Sequence, residues 1–152
     1  MVNERRGLIQ TTLSRAIDWA RSKSLWYYPI QTGCCADEVL DAVGARYDLE
    51  RFGCVQQVEP AHSDLLIITG AVSHHAAPEI RRIYDEMPEP KYVIAVGSCS
   101  TCGGPFSPEI TYANRRGVDE VVPVDVFVPG CPPRPEAIMN GLITLQEKIR
   151  GN

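Results

Sequence analysis

Six cysteines are the residues of this 152-residue chain whose type and spacing could do chemistry. They stand at positions 34, 35, 54, 99, 102 and 131. Thiolates are soft ligands for zinc and iron–sulfur clusters, and paired thiols can also exchange with disulfides. In a chain that we expect to be intracellular, structural disulfides are rare. The cysteines therefore indicate metal binding or redox chemistry.

Four of these cysteines stand in loops that glycines flank: Cys34, Cys35, Cys99 and Cys131. Glycine lets the backbone approach a ligand closely, because no side chain stands in the way. A [4Fe–4S] cluster needs four thiolate ligands. The four cysteines in these loops are therefore the candidate ligands of one [4Fe–4S] cluster.

The remaining two cysteines leave alternatives open. Cys99 and Cys102 form a C-x-x-C pair, a spacing that also occurs in dithiol enzymes and zinc sites. Structural zinc usually takes two such pairs, and the residues at 103–105, Gly-Gly-Pro, are a poor start for a redox helix. Cys102 could replace Cys99 as a ligand or pack beside it, and we favour Cys99. Cys54 stands in a turn and weak strand, not in a glycine-rich loop, and is expected in the core.

The elements that must position these cysteines alternate between strands and helices. Apolar runs predict strands over residues 24–30, 55–58, 64–69, 91–96 and 121–128. Helical periodicity predicts helices over residues 8–21, 36–45, 76–87 and 136–150. This alternation is typical of an α/β sandwich with a mostly parallel sheet. Each candidate ligand loop then follows a strand, so all of them are expected at the carboxyl edge of the sheet, where such folds bind ligands.

Composition excludes several other classes of protein. The formal net charge is −4, and the basic residues are scattered, which argues against a nucleic-acid partner. No apolar stretch reaches the roughly 20 residues that span a bilayer, and the first ten residues do not resemble a signal peptide. We expect a soluble chain with one domain over residues 1–152, in which residues 1–22 include an N-terminal helix.

Several ordered segments resemble the cluster-bearing 20-kDa (PSST or B-type) subunit of respiratory complex I, which is related to the small subunits of [NiFe]-hydrogenases. The similarity runs from about residue 24 to residue 149. Its segments are Gly33-Cys34-Cys35-Ala36, Glu38, residues 45–53, residues 84–91, Gly97-Ser98-Cys99 and residues 122–133. The resemblance implies a flavodoxin-like three-layer sandwich and one [4Fe–4S] cluster on Cys34, Cys35, Cys99 and Cys131.

The adjacent Cys34-Cys35 pair favours the complex I branch, because hydrogenase small subunits typically place two residues between the first two ligands. The resemblance implies an electron-transfer subunit of a membrane-associated oxidoreductase complex of the NADH:quinone type, inactive alone. Its implied partners are a large catalytic subunit (49-kDa-like or hydrogenase-large-like), a ferredoxin-like iron–sulfur subunit and ion-pumping membrane subunits. The implied location is peripheral, on the cytoplasmic face of the cell membrane.

The chain also departs from the complex I pattern. After Gly53 that pattern continues with an arginine near position 57 and a Ser-Pro-Arg-Gln stretch, whereas residues 58–63 read Val-Glu-Pro-Ala-His-Ser. Asp37 stands where an apolar residue is usual. Loss of cations lowers the potential of an anionic cluster. A low potential suits the alternative, a small subunit of a membrane-bound [NiFe]-hydrogenase-like or sulfane-reductase-like ferredoxin-oxidising complex.

Three further residues are candidates for proton handling. Glu38 matches an acidic family position close to the cluster, and His74 and His75 could titrate near neutral pH. Each also has a simpler interpretation, as an exposed helical glutamate or as surface histidines. A free electron carrier, a cluster-bearing sensor and a dithiol enzyme are the other functional classes that the sequence leaves open.

Overall fold

The structure, a computed structural model, describes residues 13–151. Its five strands are β1 (Leu25–Ile30), β2 (Cys54–Gln56), β3 (Leu65–Thr69), β4 (Tyr92–Val96) and β5 (Val126–Val128). They form one sheet in the order β2-β1-β3-β4-β5, and every pairing is parallel. This is the strand order of flavodoxin-like folds. The predicted α/β class is confirmed.

The helices are α1 (residues 13–22), α2 (Cys35–Val43), α3 (Ala76–Glu86), α4 (Ser98–Cys102) and α5 (Pro135–Arg150). Helices α2 and α5 cover one face of the sheet, where Val39 and Leu142 join the same buried cluster as Leu25. Helix α3 covers the other face, where Ile80 packs in a second cluster with Leu66. The sheet therefore lies between two helical layers, as the flavodoxin-like sandwich requires.

Strand β3 shows why the sheet must be covered on both faces. All five of its residues are buried. Leu65 and Ile67 contribute to the cluster beneath α2 and α5, whereas Leu66 and Ile68 contribute to the cluster beneath α3. Successive side chains of a strand point to opposite faces, so a strand buried on both sides needs an unbroken apolar run. The apolar run at residues 64–69 meets this need.

Helix α1, at residues 13–22, overlaps the helix predicted over residues 8–21, while residues 8–12 lie outside the part of the chain that the structure describes. Its apolar side chains remain largely uncovered: Leu13 is 60% exposed and Trp19 is 61% exposed. Among residues 13–151, no helix has the length and apolar character needed to cross a membrane.

The last strand is shorter than predicted. The prediction covers residues 121–128, but β5 contains only Val126–Val128. Val118–Glu120 instead form a 3₁₀ turn, and Val118 and Val122 fill the core beside α3. Pro123 has no N–H to donate to a ladder, which favours this arrangement over a longer strand.

Helix α4 is an element that the sequence analysis did not predict. Its residues, Ser-Cys-Ser-Thr-Cys, have low helix propensity because their side chains compete for backbone hydrogen bonds. Here the side chains close the turn: the Ser100 hydroxyl donates to the Val96 carbonyl at 2.7 Å and the Thr101 hydroxyl donates to the Gly97 carbonyl at 2.9 Å. The helix ends after one turn at Gly103, whose φ is 80°.

Asp64 gives the fold a pH dependence that can be measured. Its Oδ1 accepts the Trp26 main-chain N–H at 2.7 Å. Burial raises the pKa of this carboxyl above its ordinary value, although the hydrogen bond from Trp26 opposes the rise. The folded chain therefore holds the Asp64 proton more tightly than the unfolded chain does. The free energy of unfolding should fall as pH rises from the unfolded-state pKa of about 3.9 through the folded-state pKa.

The variant Asp64→Asn isolates this effect because the amide oxygen can still accept from Trp26. We expect the variant to gain stability relative to the natural chain as pH rises through that interval, with a constant difference above it. Unfolding curves between about pH 3 and pH 8 measure the difference. Glu109→Gln, which alters an exposed carboxyl, controls for the loss of one charge. A difference that does not change with pH would show that Asp64 carries no such linkage.

Candidate functional site

Three cysteine-bearing loops meet at the carboxyl edge of the sheet. Cys34 and Cys35 follow β1, Cys99 follows β4, and Cys131 follows β5. All are free thiols. This placement follows from the parallel topology, which directs the carboxyl ends of β1, β4 and β5 to one edge. The predicted convergence of the cysteine loops is thus present in the structure.

Electrostatic repulsion acts between thiols at this edge of the sheet. Burial raises the pKa of Cys35 to about 11, and the thiols of Cys34, Cys99 and Cys131 contribute to the rise. Burial also raises the pKa of Cys99, with contributions from Cys131, Cys34 and Cys102. The neighbouring sulfurs therefore oppose ionisation of Cys35 and Cys99, as like charges in one site do. A cation bound among them would relieve this repulsion.

A pocket of about 430 Å³ opens beside these thiols. Cys34, Cys35 and Cys99 line it. It lies between the ends of β1 and β3, where the strand order reverses, which is the usual ligand position in open parallel sheets. Phe106 and Asn114, from the loop that follows α4, line it as well.

Gly97 allows the closest approach between two of the loops. A Cβ atom at this position would lie 2.4 Å from the Cys35 Sγ atom. The backbone there has φ 90° and ψ 161°, a region that is essentially restricted to glycine. A glycine is needed at position 97 because the Cys35 sulfur occupies the space that a side chain would fill.

Hydrogen bonds join the Cys99 loop to the Cys131 loop. The Gly97 N–H donates to the Val128 carbonyl at 2.8 Å, continuing the β4–β5 pairing. The Ser98 N–H and hydroxyl both donate to the Gly130 carbonyl, at 2.8 Å and 3.0 Å. The residues before Cys99 and Cys131 are therefore held together by these hydrogen bonds rather than by a disulfide.

The other two cysteines differ in their surroundings. Cys102 is exposed, and its thiol is 3.3 Å from the Ser98 carbonyl oxygen, within reach of a weak hydrogen bond. Neither Cys102 nor Cys131 is among the described residues that line the pocket. Cys54 is fully buried in β2, within the cluster beneath α2 and α5. The prediction that Cys54 is a core residue is confirmed.

The candidate proton-handling residues lie at helix starts. Glu38 is in the first turn of α2 and is half-buried. His74 and His75 precede α3 and are exposed. The main-chain N–H of His74 donates to the Ala113 carbonyl at 3.0 Å. None of the three is among the described residues that line the pocket. Their role in proton handling stays a prediction.

An iron–sulfur cluster and a single metal ion need different arrangements of donor atoms. Within residues 13–151, no group of three or more His, Cys, Asp and Glu side chains is arranged around one metal position. A cubane cluster does not require such a group, because each of its four thiolates binds a different iron atom. Four coupled thiols on three loops, together with the steric cradle at Gly97, fit this cofactor.

The loop after α4 is a part of the site that sequence analysis missed. Asn114 forms an isolated antiparallel bridge with Ser73, and the Arg115 N–H donates to the Val72 carbonyl at 2.8 Å. These contacts fold residues 104–117 back over the end of β3 and bring Asn114 to the pocket. No periodicity in this segment signals that arrangement, since it depends on contacts between residues distant in the chain.

Comparison with known proteins gives consistent results. A sequence model of the family described as NADH ubiquinone oxidoreductase, 20 Kd subunit, matches residues 32–145. The first B-type subunit of the NADH-quinone oxidoreductase of Roseiflexus castenholzii is 48% identical over 145 residues, which cover 95% of this chain and 85% of that protein. The B-type subunit of the NADH-quinone oxidoreductase of Amoebophilus asiaticus is 46% identical over 144 residues, covering 95% and 89% of the two chains.

A solved structure is also similar. It belongs to the membrane-bound sulfane sulfur reductase, described as an archaeal respiratory membrane complex. The TM-score is 0.84 at 42% sequence identity, and the match covers 91% of this chain and 77% of the other. The expected resemblance and the expected membership in an oxidoreductase complex are thereby confirmed. The chain belongs to the family of the 20-kDa subunit of NADH ubiquinone oxidoreductase.

Proposed function

We propose that the chain holds one [4Fe–4S] cluster on Cys34, Cys35, Cys99 and Cys131. The observation that carries this proposal is the convergence of four free thiols, on three loops, at the carboxyl edge of the sheet. The family adds support, since relatives that share almost the whole chain are subunits of NADH-quinone oxidoreductases. Bound there, the cluster would supply one-electron transfer.

The protein's own residues would set the surroundings of that cofactor. Cys35 and Cys99 are buried, so the side of the cluster that they would bind is shielded from water. Cys34 and Cys131 are exposed, so the other side would face solvent. Solvent exposure and hydrogen bonds to sulfur are the levers by which a protein tunes the potential of a cluster. The exposed side, with Phe106 48% exposed beside it, is where an electron donor or acceptor could come close.

The proposed role is electron delivery within a membrane-associated oxidoreductase complex. The acceptor would lie at the interface with a large subunit (49-kDa-like or hydrogenase-large-like). A ferredoxin-like iron–sulfur subunit and ion-pumping membrane subunits complete the proposed partners, and the proposed location is the cytoplasmic face of the membrane. A chain that only delivers electrons would not turn over by itself.

A second candidate function, within a sulfane-reductase-like or hydrogenase-like complex, is favoured by charge. The segment that carries arginines in the complex I pattern here contains Glu59 and His62, but it leads into the amino end of β3, at the sheet edge opposite the cysteines, so it does not alter the charge around the cluster. Asp37 adds an exposed carboxyl in the first turn of α2, beside the ligands. This added negative charge near the site would lower the potential of the cluster.

Isolation under anaerobic conditions, together with the subunits that co-purify, tests the proposal and separates these candidates. An EPR-monitored redox titration should show one [4Fe–4S] signal that depends on this chain. A high potential would favour quinone as the acceptor, and a low potential would favour sulfur or hydrogen chemistry. The absence of any cluster signal assignable to this chain would refute the proposed function.

A further inference from the structure

We propose that Thr69, with Thr32, is a positioning residue for the cysteine pair. The inference rests on the proposed function, because its role is defined toward the cluster that Cys34 and Cys35 would hold. Thr69 is the last residue of β3 and is only 1% exposed. Thr32 stands two residues before Cys34 and lines the pocket. The two hydroxyl groups link the end of β3 to the cysteine loop.

The contacts between these residues are reciprocal. The Thr32 N–H donates to the Thr69 Oγ1 atom at 2.9 Å, and the Thr32 hydroxyl donates to the Thr69 carbonyl at 2.5 Å. The Thr69 hydroxyl has carbonyl acceptors at Thr32, 2.9 Å away, and at Ile30, 3.2 Å away. One hydroxyl group therefore serves as acceptor and donor to the same short loop.

These hydrogen bonds connect the chain after β1 to the end of β3, just beyond the last residues that pair in the sheet. The last paired residues of β1 and β3 are Ile30 and Ile68. Beyond them the chain after β1 must leave the sheet and reach Cys35, where α2 begins, within a few residues. The Thr69 side chain satisfies backbone groups that the ladder no longer pairs. It thereby fixes the distance between the Cys34-Cys35 pair and the end of β3.

The backbone at Gly70 lies too close to the backbone at Thr32 to leave room for a side chain. Gly70 has φ 75°, and a Cβ atom there would lie 2.2 Å from the Thr32 carbonyl oxygen. A side chain at Gly70 would therefore push apart Thr32 and Thr69, the residues that the hydroxyl groups join. A loop held this tightly has little freedom to move its cysteines relative to Cys99, which is fixed from β4.

The test uses the whole chain, with the subunits that co-purify, and four substitutions. Thr69→Val removes the hydroxyl and keeps the shape of the side chain, and Thr69→Ser keeps the hydroxyl. Thr144→Val is the matched control, because the Thr144 hydroxyl donates to a carbonyl on the exposed face of α5. Thr32→Val provides a second route to the same contact if Thr69→Val does not fold.

Three measurements report on positioning. We expect Thr69→Val to speed loss of iron to a chelator by roughly tenfold or more, as removal of an outer-shell partner does. We also expect a shift in the reduction potential, and faster amide hydrogen exchange at residues 31–35. Thr69→Ser and Thr144→Val should match the natural chain in all three. A residue with only a general structural role would leave the potential of the remaining cluster unchanged.

The outcomes separate this proposal from the proposed function. If the natural chain binds no iron, the cluster assignment fails, and the role of Thr69 toward it fails as well. If iron is bound but Thr69→Val matches Thr144→Val, only the Thr69 proposal is overturned. A Thr69→Ser variant as impaired as Thr69→Val would also overturn it, because the hydroxyl would then not be the group that matters.

Discussion

Replacing Gly97 by alanine is expected to abolish cluster binding. The new Cβ atom would lie 2.4 Å from the Cys35 Sγ atom, a distance that the buried Cys35 side chain cannot relieve without moving a ligand. The backbone conformation at this position adds a strain of about 1–3 kcal/mol for any residue with a side chain. We expect the iron content of Gly97→Ala to be roughly a tenth of the natural value or less.

Gly151→Ala is the control for this substitution. Gly151 also has a positive φ, at 81°, but nothing lies within 4 Å of the position of its Cβ atom. The control should therefore show the cost of replacing a glycine without the clash at Cys35, and it should keep its iron. Full iron content in Gly97→Ala would mean that the Cys35 sulfur is not held against the Cys99 loop.

The second large effect concerns the choice between Cys99 and Cys102. Cys99 is 7% exposed and lines the pocket with Cys34 and Cys35, whereas Cys102 is exposed at the far end of α4 and is not among the described residues that line the pocket. We expect Cys99→Ser to lose the cluster, since a hydroxyl is a poor substitute for a soft thiolate. Cys102→Ser should retain iron, sulfide and the EPR signal.

Cys54→Ser extends the comparison to a buried thiol outside the site. Its iron content per folded chain should be unchanged, although stability should fall because a hydroxyl replaces a packed sulfur in the core. The reverse pattern, with iron retained in Cys99→Ser and lost in Cys102→Ser, would assign the ligand role to Cys102. That result would leave the cluster in place and correct its coordination.

Much of the fold could be predicted because the central strands have an unmistakable pattern. Residues 64–69 and 91–96 are continuous apolar runs, and the observed strands Leu65–Thr69 and Tyr92–Val96 differ from these predictions by one residue each. The convergence of the cysteine loops follows from the parallel arrangement of the strands. Once the sheet is parallel, the residues after β1, β4 and β5 share one edge.

The errors occur where local pattern and tertiary contact disagree. The valines at 118–122 have strand propensity, but they pack beside α3 because Pro123 and the turn at Val118–Glu120 prevent pairing. Helix α4 forms despite its composition, through hydrogen bonds from side chains to carbonyls one turn earlier. Neither outcome is visible in propensity alone.

The candidate ligands could be predicted more fully than their surroundings. The thiols could be chosen from their glycine-flanked loops, but the Thr32–Thr69 contact joins residues 37 positions apart. Its only sequence signal is that each threonine immediately precedes a glycine near the end of a strand. Asn114 gave no such signal, because its place at the pocket depends on the bridge to Ser73.

The most direct test of the central claim is the iron and acid-labile sulfide content of the natural chain, isolated anaerobically. One [4Fe–4S] cluster predicts about four iron and four sulfide per chain, both lost together in Cys99→Ser. Zinc in place of iron, or iron without sulfide, would contradict the assignment and favour a single-metal or dithiol site instead.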